Sequence, residues 1–237
     1  MEFQKIDMET WNRKETFLHY WNQVPCSYSV TAELDVTSLR KTVVHEKLKF
    51  YPVVLYLLTR LVNSREEFRM AVDAEGMPGF WKELSPCYTV FHPETETFSC
   101  LWSKYKENFS DFYREYENDM ATYGTRKEFS QSRGRHRICS ISLCFRGFIL
   151  PPLSWNFTGK GISFFLYLRW ENGSAVGERR RCPFLSECIM LPAMDFTWHA
   201  FLRSCRSKQI LLHAICKIQR RIFFSAYRPG CSGCGIL

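Results

Sequence analysis

The sequence predicts an α/β or α+β protein. Helical and strand periods alternate along roughly the first half of the chain, and 46% of its 237 residues are apolar with 16% aromatic, ample for a packed core. Tyr28, Val30, Ala32 and Leu34 fall on every second position, the period of a half-buried strand. The cap-capable residues Asp35, Thr37 and Ser38 then introduce a short helical stretch. Phe50-Tyr51-Pro52 opens an apolar segment from Val53 to Asn63, and Pro52 suits a first helical turn. That segment is apolar almost all round and about three turns long, so a buried helix is expected. Cys87-Tyr88-Thr89-Val90-Phe91 is β-branched and aromatic and reads as a strand. Asp111 to Tyr123 carries Phe112, Tyr116 and Met120 at helical spacing and reads as an amphipathic helix ended by Gly124.

No apolar run reaches the roughly 18 residues of a membrane span, and Met1-Glu2-Phe3-Gln4-Lys5-Ile6-Asp7 lacks a signal pattern. A cytoplasmic protein is expected, with no membrane partner. The net charge of +8 is unevenly placed. Residues 1–128 hold 16 Lys+Arg against 20 Asp+Glu, a balance of −4. Residues 129–237 hold 16 Lys+Arg against the four acids Glu171, Glu178, Glu187 and Asp195, a balance of +12. Cysteine divides likewise: Cys26, Cys87 and Cys100 precede this point and the other eight follow it. Beyond Phe129 the local signals also stop agreeing. The apolar runs Ile141 to Leu150 and Ile162 to Leu168 are broken by Arg, Gly and Pro where neither period holds, whereas natural sequences are usually consistent across levels.

Several motifs in the first half occur together. They are Trp11-Asn-Arg13-Lys14-Glu15, Val24-Pro25-Cys26, Lys49-Phe50-Tyr51-Pro52, Glu67-Phe68-Arg69-Met70-Ala71, and Tyr88-Thr-Val-Phe-His92 followed by Glu94-Thr-Glu-Thr-Phe98-Ser99. In order and spacing they resemble chloramphenicol acetyltransferase, over a little more than half of the chain. The resemblance implies two-layer subunits of the CoA-dependent acetyltransferase fold, each a mixed sheet with helices, assembled as a cytoplasmic homotrimer with active sites between subunits. It further implies acetyl transfer from acetyl-CoA to the 3-hydroxyl of chloramphenicol, with no metal. The general base is a histidine in a His-His-Ala-x-Cys-Asp-Gly motif, and a serine in an Asn-x-Ser-x-x-Pro-Trp segment supports the oxyanion. Carried onto this chain, the resemblance makes Tyr20 and Phe98 aromatic walls of the antibiotic pocket, joined by Phe129, with His19 and Val24 lining it. Arg13 matches the arginine that pairs with the aspartate of the histidine motif, a supporting role. His92 has no part in the family's chemistry and is expected to be structural.

The histidine motif is absent as written. After Phe129 the histidines are His136, His199 and His213, none with a motif neighbour. Taking the last base of each codon with the first two of the next changes the picture. From Glu187 to Asp195 that reading permits Val-His-His-Ala-x-Cys-Asp-Gly, with the histidine pair where Ile189 and Met190 now stand. Met190 before a CTN leucine codon forces Ala, and Met194 before Asp195 forces Gly. Phe196 to Phe201 then permits Phe-His-Val-Ala-Arg-Phe. The same shift permits Tyr-Phe-Phe-Phe-Pro-Ile-Phe-Thr-Met-Gly-Lys from Gly161 to Asn172, and Asn-Met-Phe-Asn-Ile-Ser-x-x-Pro-Trp from Arg137 to Gly147. These are family segments in family order.

The organisation expected is therefore residues 1–129 as the N-terminal part of one acetyltransferase domain and 130–237 as its C-terminal part, out of frame from a point between Phe129 and Arg137. The region after Phe129 is not expected to be native-like, and the chain as written is expected to be inactive. A competing reading keeps the N-terminal half in a non-catalytic protein whose basic segment binds nucleic acid or membrane. Against it, the tail's arginines are scattered among apolar runs and build no continuous basic face, so neither partner is expected. A metal module would rest on Cys231-Ser-Gly-Cys234 alone, a single pair without a second. Asn156-Phe-Thr158 and Asn172-Gly-Ser174 match the glycosylation pattern by accident in a cytoplasmic chain.

Overall fold

The computed structural model describes residues 2–23, 27–127, 139–145, 166–170, 175–176 and 179–189, with 27–34 and everything beyond 127 described as backbone. In chain order the elements are β1 (Phe3–Lys5), α1 (Lys14–Asn22), β2 (Ser27–Asp35), α2 (Thr37–His45) and α3 (Phe50–Asn63). A 3₁₀ turn at Glu66–Arg69 leads into β3 (Met70–Val72), β4 (Pro78–Trp81), β5 (Ser85–His92), β6 (Thr97–Trp102) and α4 (Phe109–Tyr123). The strands β7 (Cys139–Phe145), β8 (Leu166–Trp170), β9 (Ala175–Val176) and β10 (Arg179–Ile189) complete the described chain.

Two sheets form. The small one is antiparallel, in the order β1-β4-β3. The large one runs β2-β10-β8-β7-β5-β6, with β9 beside β10. It is mixed: β7 pairs in parallel with both β5 and β8, and the remaining pairs are antiparallel. Helix α3 packs on β5 and α4 on β6, with α2 against α3, which makes a helical layer over the sheet. The expected two-layer α/β architecture is what the described residues show.

The core follows from the apolar pattern. Val53, Leu55 and Val62 of α3 are fully buried with Leu84, Tyr88 and Leu101 of the hairpin region and Phe112 of α4. Tyr56 lies at its centre, its ring 5.2 Å from Phe109 and 5.6 Å from Phe112, while its hydroxyl donates to the Glu107 carbonyl at 2.6 Å. A buried tyrosine that keeps a partner for its hydroxyl adds aromatic packing without a desolvation penalty. Thr59, a polar residue within this largely apolar helix, is wholly buried and donates back to the Leu55 carbonyl at 2.7 Å.

The element ends agree with expectation at α2 and α3 and depart from it at α4. Helix α3 begins at Phe50, so Pro52 sits inside its first turn. The N-cap position of α2 is Val36, which has no side-chain cap, and the carboxylate of Asp35 just before it accepts the Thr37 N–H at 3.0 Å. Gly124 closes α4 in a right-handed conformation with φ −63°, so the helix stops without a left-handed cap. Strands also occur within the runs after Phe129 that show no period. Parallel pairing on both sides, as at β7, does not demand alternation, so periodicity is a poor guide there. Pro183 lies within β10 opposite Glu33, a placement that proline, lacking an N–H, disfavours.

Candidate functional site

The residues singled out in the sequence fall on three elements. Arg13 sits at the entrance of α1, half-buried, its carbonyl accepting the Phe17 N–H at 2.9 Å. His19 and Tyr20 follow on the same helix. His19 is exposed, with Nδ1 2.8 Å from Gln23 Oε1 and its ring edge-on to Tyr20 at 5.0 Å. Tyr20 is partly buried and packs with Trp11, Trp21 and Phe80 around Met70 and Ala71, against the small sheet. An N-terminal aromatic cluster thus fixes α1 and the two side chains it offers.

Phe98 lies elsewhere, on β6 at the edge of the large sheet. It stands opposite Phe91 of β5, and both are exposed, at 43% and 39%. The register places Cys87, Thr89 and Phe91 on one face of the hairpin with Trp102, Cys100 and Phe98, and the opposite face carries Tyr88 and Leu101 into the core. Two large aromatics directly opposite one another on an open face form a surface that an aromatic ligand can meet. Phe91 is missing from the sequence-based site, yet it could have been found. With the turn at residues 93–96, counting back from Phe98 across the hairpin reaches Phe91.

The opposite face holds polar groups in fixed partnerships. His92 is buried and its Nε2 lies 3.0 Å from Ser99 Oγ. Tyr88 OH lies 2.9 Å from Ser103 Oγ, which donates to Asp119 Oδ2 at 2.7 Å, linking β5 through the end of β6 to α4. Burial pushes the Tyr88 phenol well above the usual range, against a smaller lowering from Ser103. Burial likewise raises Tyr105 and Tyr116 to about 12. These phenols stay protonated at neutral pH and so are not bases there.

Val24, Phe129 and Met190 lie outside the described residues, as do the tail residues Cys231 and Cys234. Ile189 ends β10 opposite Ser27. Among the described residues no cluster of three or more metal-ligating side chains occurs. No described helix is long and apolar enough to cross a membrane.

Against this geometry stand the comparisons with known proteins. The sequence profile for chloramphenicol acetyltransferase matches residues 1–150, more than half of the chain. The chain belongs to the chloramphenicol acetyltransferase family. Among its relatives, the chloramphenicol acetyltransferase of Vibrio anguillarum is 46% identical over 127 residues, 54% of this chain and 57% of the relative. That of Campylobacter coli is 44% identical over 130 residues, 55% of this chain and 61% of the relative. That of Escherichia coli is 44% identical over 122 residues, 52% and 55% respectively. The chain therefore matches little more than half the length of these relatives.

Similarity of shape extends further than similarity of sequence. A solved chloramphenicol acetyltransferase matches with a TM-score of 0.63 over 92% of this chain and 99% of its own, at 18% identity. The dihydrolipoamide acetyltransferase of Azotobacter vinelandii matches with a TM-score of 0.54 over 85% of this chain and 88% of its own, at 12% identity. At these identities the likeness concerns the fold alone, and it agrees with the two-layer mixed sheet described above.

Proposed function

We propose that this chain derives from a chloramphenicol O-acetyltransferase whose reading frame changes between Phe129 and Arg137. In frame, the enzyme transfers acetyl from acetyl-CoA to the 3-hydroxyl of chloramphenicol, works as a cytoplasmic homotrimer, and confers resistance to the antibiotic. Residues 1–129 and 130–237 are the two parts of its single domain. The observation that carries the reading is the pairing of two facts about one sequence. Its first half is 46% identical to a chloramphenicol acetyltransferase, and its second half yields the family's histidine motif only after a one-base shift.

The chemistry needs a base that removes the proton of the substrate hydroxyl while its oxygen attacks the thioester carbonyl. The carbonyl oxygen takes up negative charge, then the C–S bond breaks and CoA leaves as its thiol. A histidine suits the first step because its ordinary pKa lies near neutrality. In the chain as written Ile189 and Met190 stand at that place and neither can accept a proton, so the chain is inactive. Phe98, Tyr20 and Phe129 serve as aromatic walls of the antibiotic pocket, lined further by His19 and Val24. Arg13 holds the carboxylate of the histidine motif. The exposure of Phe98 beside Phe91 supports a ligand-facing role. Pro183 inside β10 and the jump in charge balance from −4 to +12 support the out-of-frame origin of the second half.

The test is the chain with one base inserted or deleted near the Phe129 codon, purified and supplied with chloramphenicol and acetyl-CoA. Release of CoA thiol that depends on chloramphenicol, from a protein of three-subunit mass, is the expected result. A folded, frame-restored protein that leaves chloramphenicol unmodified would overturn the proposal.

A further inference from the structure

The hairpin of β5 and β6 brings two cysteines together. Thr89 pairs with Cys100 and Cys87 with Trp102, so Cys87 and Cys100 are diagonal neighbours on one face. Both are half-buried and neither is in a disulfide. Their side chains are hydrogen-bonded to each other, which with burial pushes the Cys100 thiol up. Two sulfurs in contact on a rigid ladder have limited uses, and geometry separates them. Diagonal neighbours on antiparallel strands lie about 7–8 Å apart at Cα, wider than the roughly 4.4–6.8 Å of a relaxed disulfide. A direct S–S bond would therefore strain the ladder. A linear two-coordinate cation would require the sulfurs to stand on opposite sides of it, farther apart than a hydrogen-bonded pair. One pyramidal centre that takes two adjacent thiolates fits both limits.

We propose that Cys87 and Cys100 form a preorganised dithiol site for a trivalent arsenical, on the hairpin face that also carries Phe91 and Phe98. With phenylarsine oxide the reaction balances without an oxidant. Two As–S bonds form, the arsenic–oxygen bond is lost, and both thiol protons leave with that oxygen as water. The oxide oxygen is the base, which accommodates a thiol that keeps its proton at neutral pH. The aryl group then lies on the face of the exposed aromatic pair, beside Phe98, two residues from Cys100 on the same strand. Because the ladder holds the sulfurs together, the second As–S bond closes within the molecule at high effective concentration.

The experiment titrates phenylarsine oxide into the full 237-residue chain and follows iodoacetamide labelling of each cysteine at the peptide level. The frame-restored chain, which carries the same hairpin, is titrated in parallel and decides the matter if the first does not fold. Cys87 and Cys100 should be protected together, at least tenfold, at lower arsenical concentration than Cys26. The protection should fall away in 8 M urea and be reversed by a dithiol but not by a monothiol. Cys87→Ser should return Cys100 to its unprotected rate, whereas Cys231→Ser should leave the pair's protection unchanged. Independent labelling of Cys87 and Cys100 in the presence of the arsenical, or equal protection with and without urea, would overturn the proposal.

Discussion

At Asn63 one side chain takes the place of a strand partner. Its Nδ2 donates to the Leu84 carbonyl and its Oδ1 accepts the Leu84 N–H, both at 2.8 Å, which ties the end of α3 to the start of the β5 hairpin. Leu84 is wholly buried, so water cannot readily replace the pair. In the frame-restored chain Asn63→Leu should cost about 1–3 kcal/mol by leaving two backbone groups unsatisfied. A lower urea midpoint at unchanged slope is the expected reading, and an unaltered midpoint would contradict it. Arg69 is a buried polar residue, 9% exposed, with Nη1 2.6 Å from the Trp81 carbonyl and 2.5 Å from that of Lys82. Burial lowers its pKa, and the guanidinium is held by carbonyl oxygens on the strand end it braces. Phe98 belongs to a different kind of argument. As the pocket wall proposed for it, Phe98 would supply mostly uniform binding, so Phe98→Ala in the frame-restored enzyme should raise KM more than it lowers kcat. The ceiling is about 3 kcal/mol. Equal losses in kcat and kcat/KM would place Phe98 in the transition state instead. Phe98 and Tyr20 were singled out in the sequence because motifs surround them, whereas Asn63 and the thiol pair depend on contacts that no local pattern announces.

At the scale of elements, the turn joining β3 to β4 is built on Asp73. Its Oδ1 accepts the N–H groups of Glu75 and Met77, both at 2.9 Å, and Gly76 takes φ +84° between them. The hydrogen bond from Lys5, with those backbone donors, holds the Asp73 carboxyl below its ordinary pKa, and Lys5 is raised to about 12 by Glu75 and Asp73. A depressed carboxyl contributes stability that is complete above its unfolded pKa and is lost as pH falls through the folded one. The turn should therefore loosen under acid, below the ordinary carboxylate range. Asp73→Asn should flatten that part of the pH–stability profile, and a profile the same in variant and parent would contradict the assignment. Gly79 marks a close approach in the same sheet. A Cβ there would lie 2.4 Å from the Gln4 carbonyl oxygen and from the Phe3 ring, so Gly79→Ala should force β1 away from β4. A cost of about 1–3 kcal/mol is expected, measured by thermal or urea unfolding of the frame-restored chain; no change would show that β1 is not held there. Helix α4 was legible because it repeats a helical period over its length, and α3 because it is a long run that is apolar almost all round. β1, β3 and β4 span only three or four residues each, too few to show one, and they owe their pairing to tertiary context.

At the scale of the whole molecule, the two halves differ in charge balance and in cysteine content. Residues 1–127 combine period, capping and a common core in one consistent description. The strands beyond Phe129 join the same sheet as backbone, but they bring a proline into β10 and three consecutive arginines, 179–181, to its start. The family and its fold were legible because half a domain suffices to carry motifs. The family's histidine motif was not, because no residue of the written chain matches it, and on the proposed frame change only the codons would hold it. On the proposed frame change the strands after Phe129 are not the family's own, and a sheet closed by strands that do not match it exposes apolar surface more readily, which favours aggregation. The most direct measurement compares the literal 237-residue chain with the same chain carrying one base inserted or deleted near the Phe129 codon, expressed side by side and assayed for soluble yield and chloramphenicol acetylation. The restored chain should be soluble and active, while the literal chain should be largely insoluble. What remains soluble should fall below the restored enzyme's turnover by at least the factor of about 100 to 10,000 that loss of a general base costs. Comparable yield and comparable acetylation from both would show that the second half is genuine and that no frame change separates it from the first.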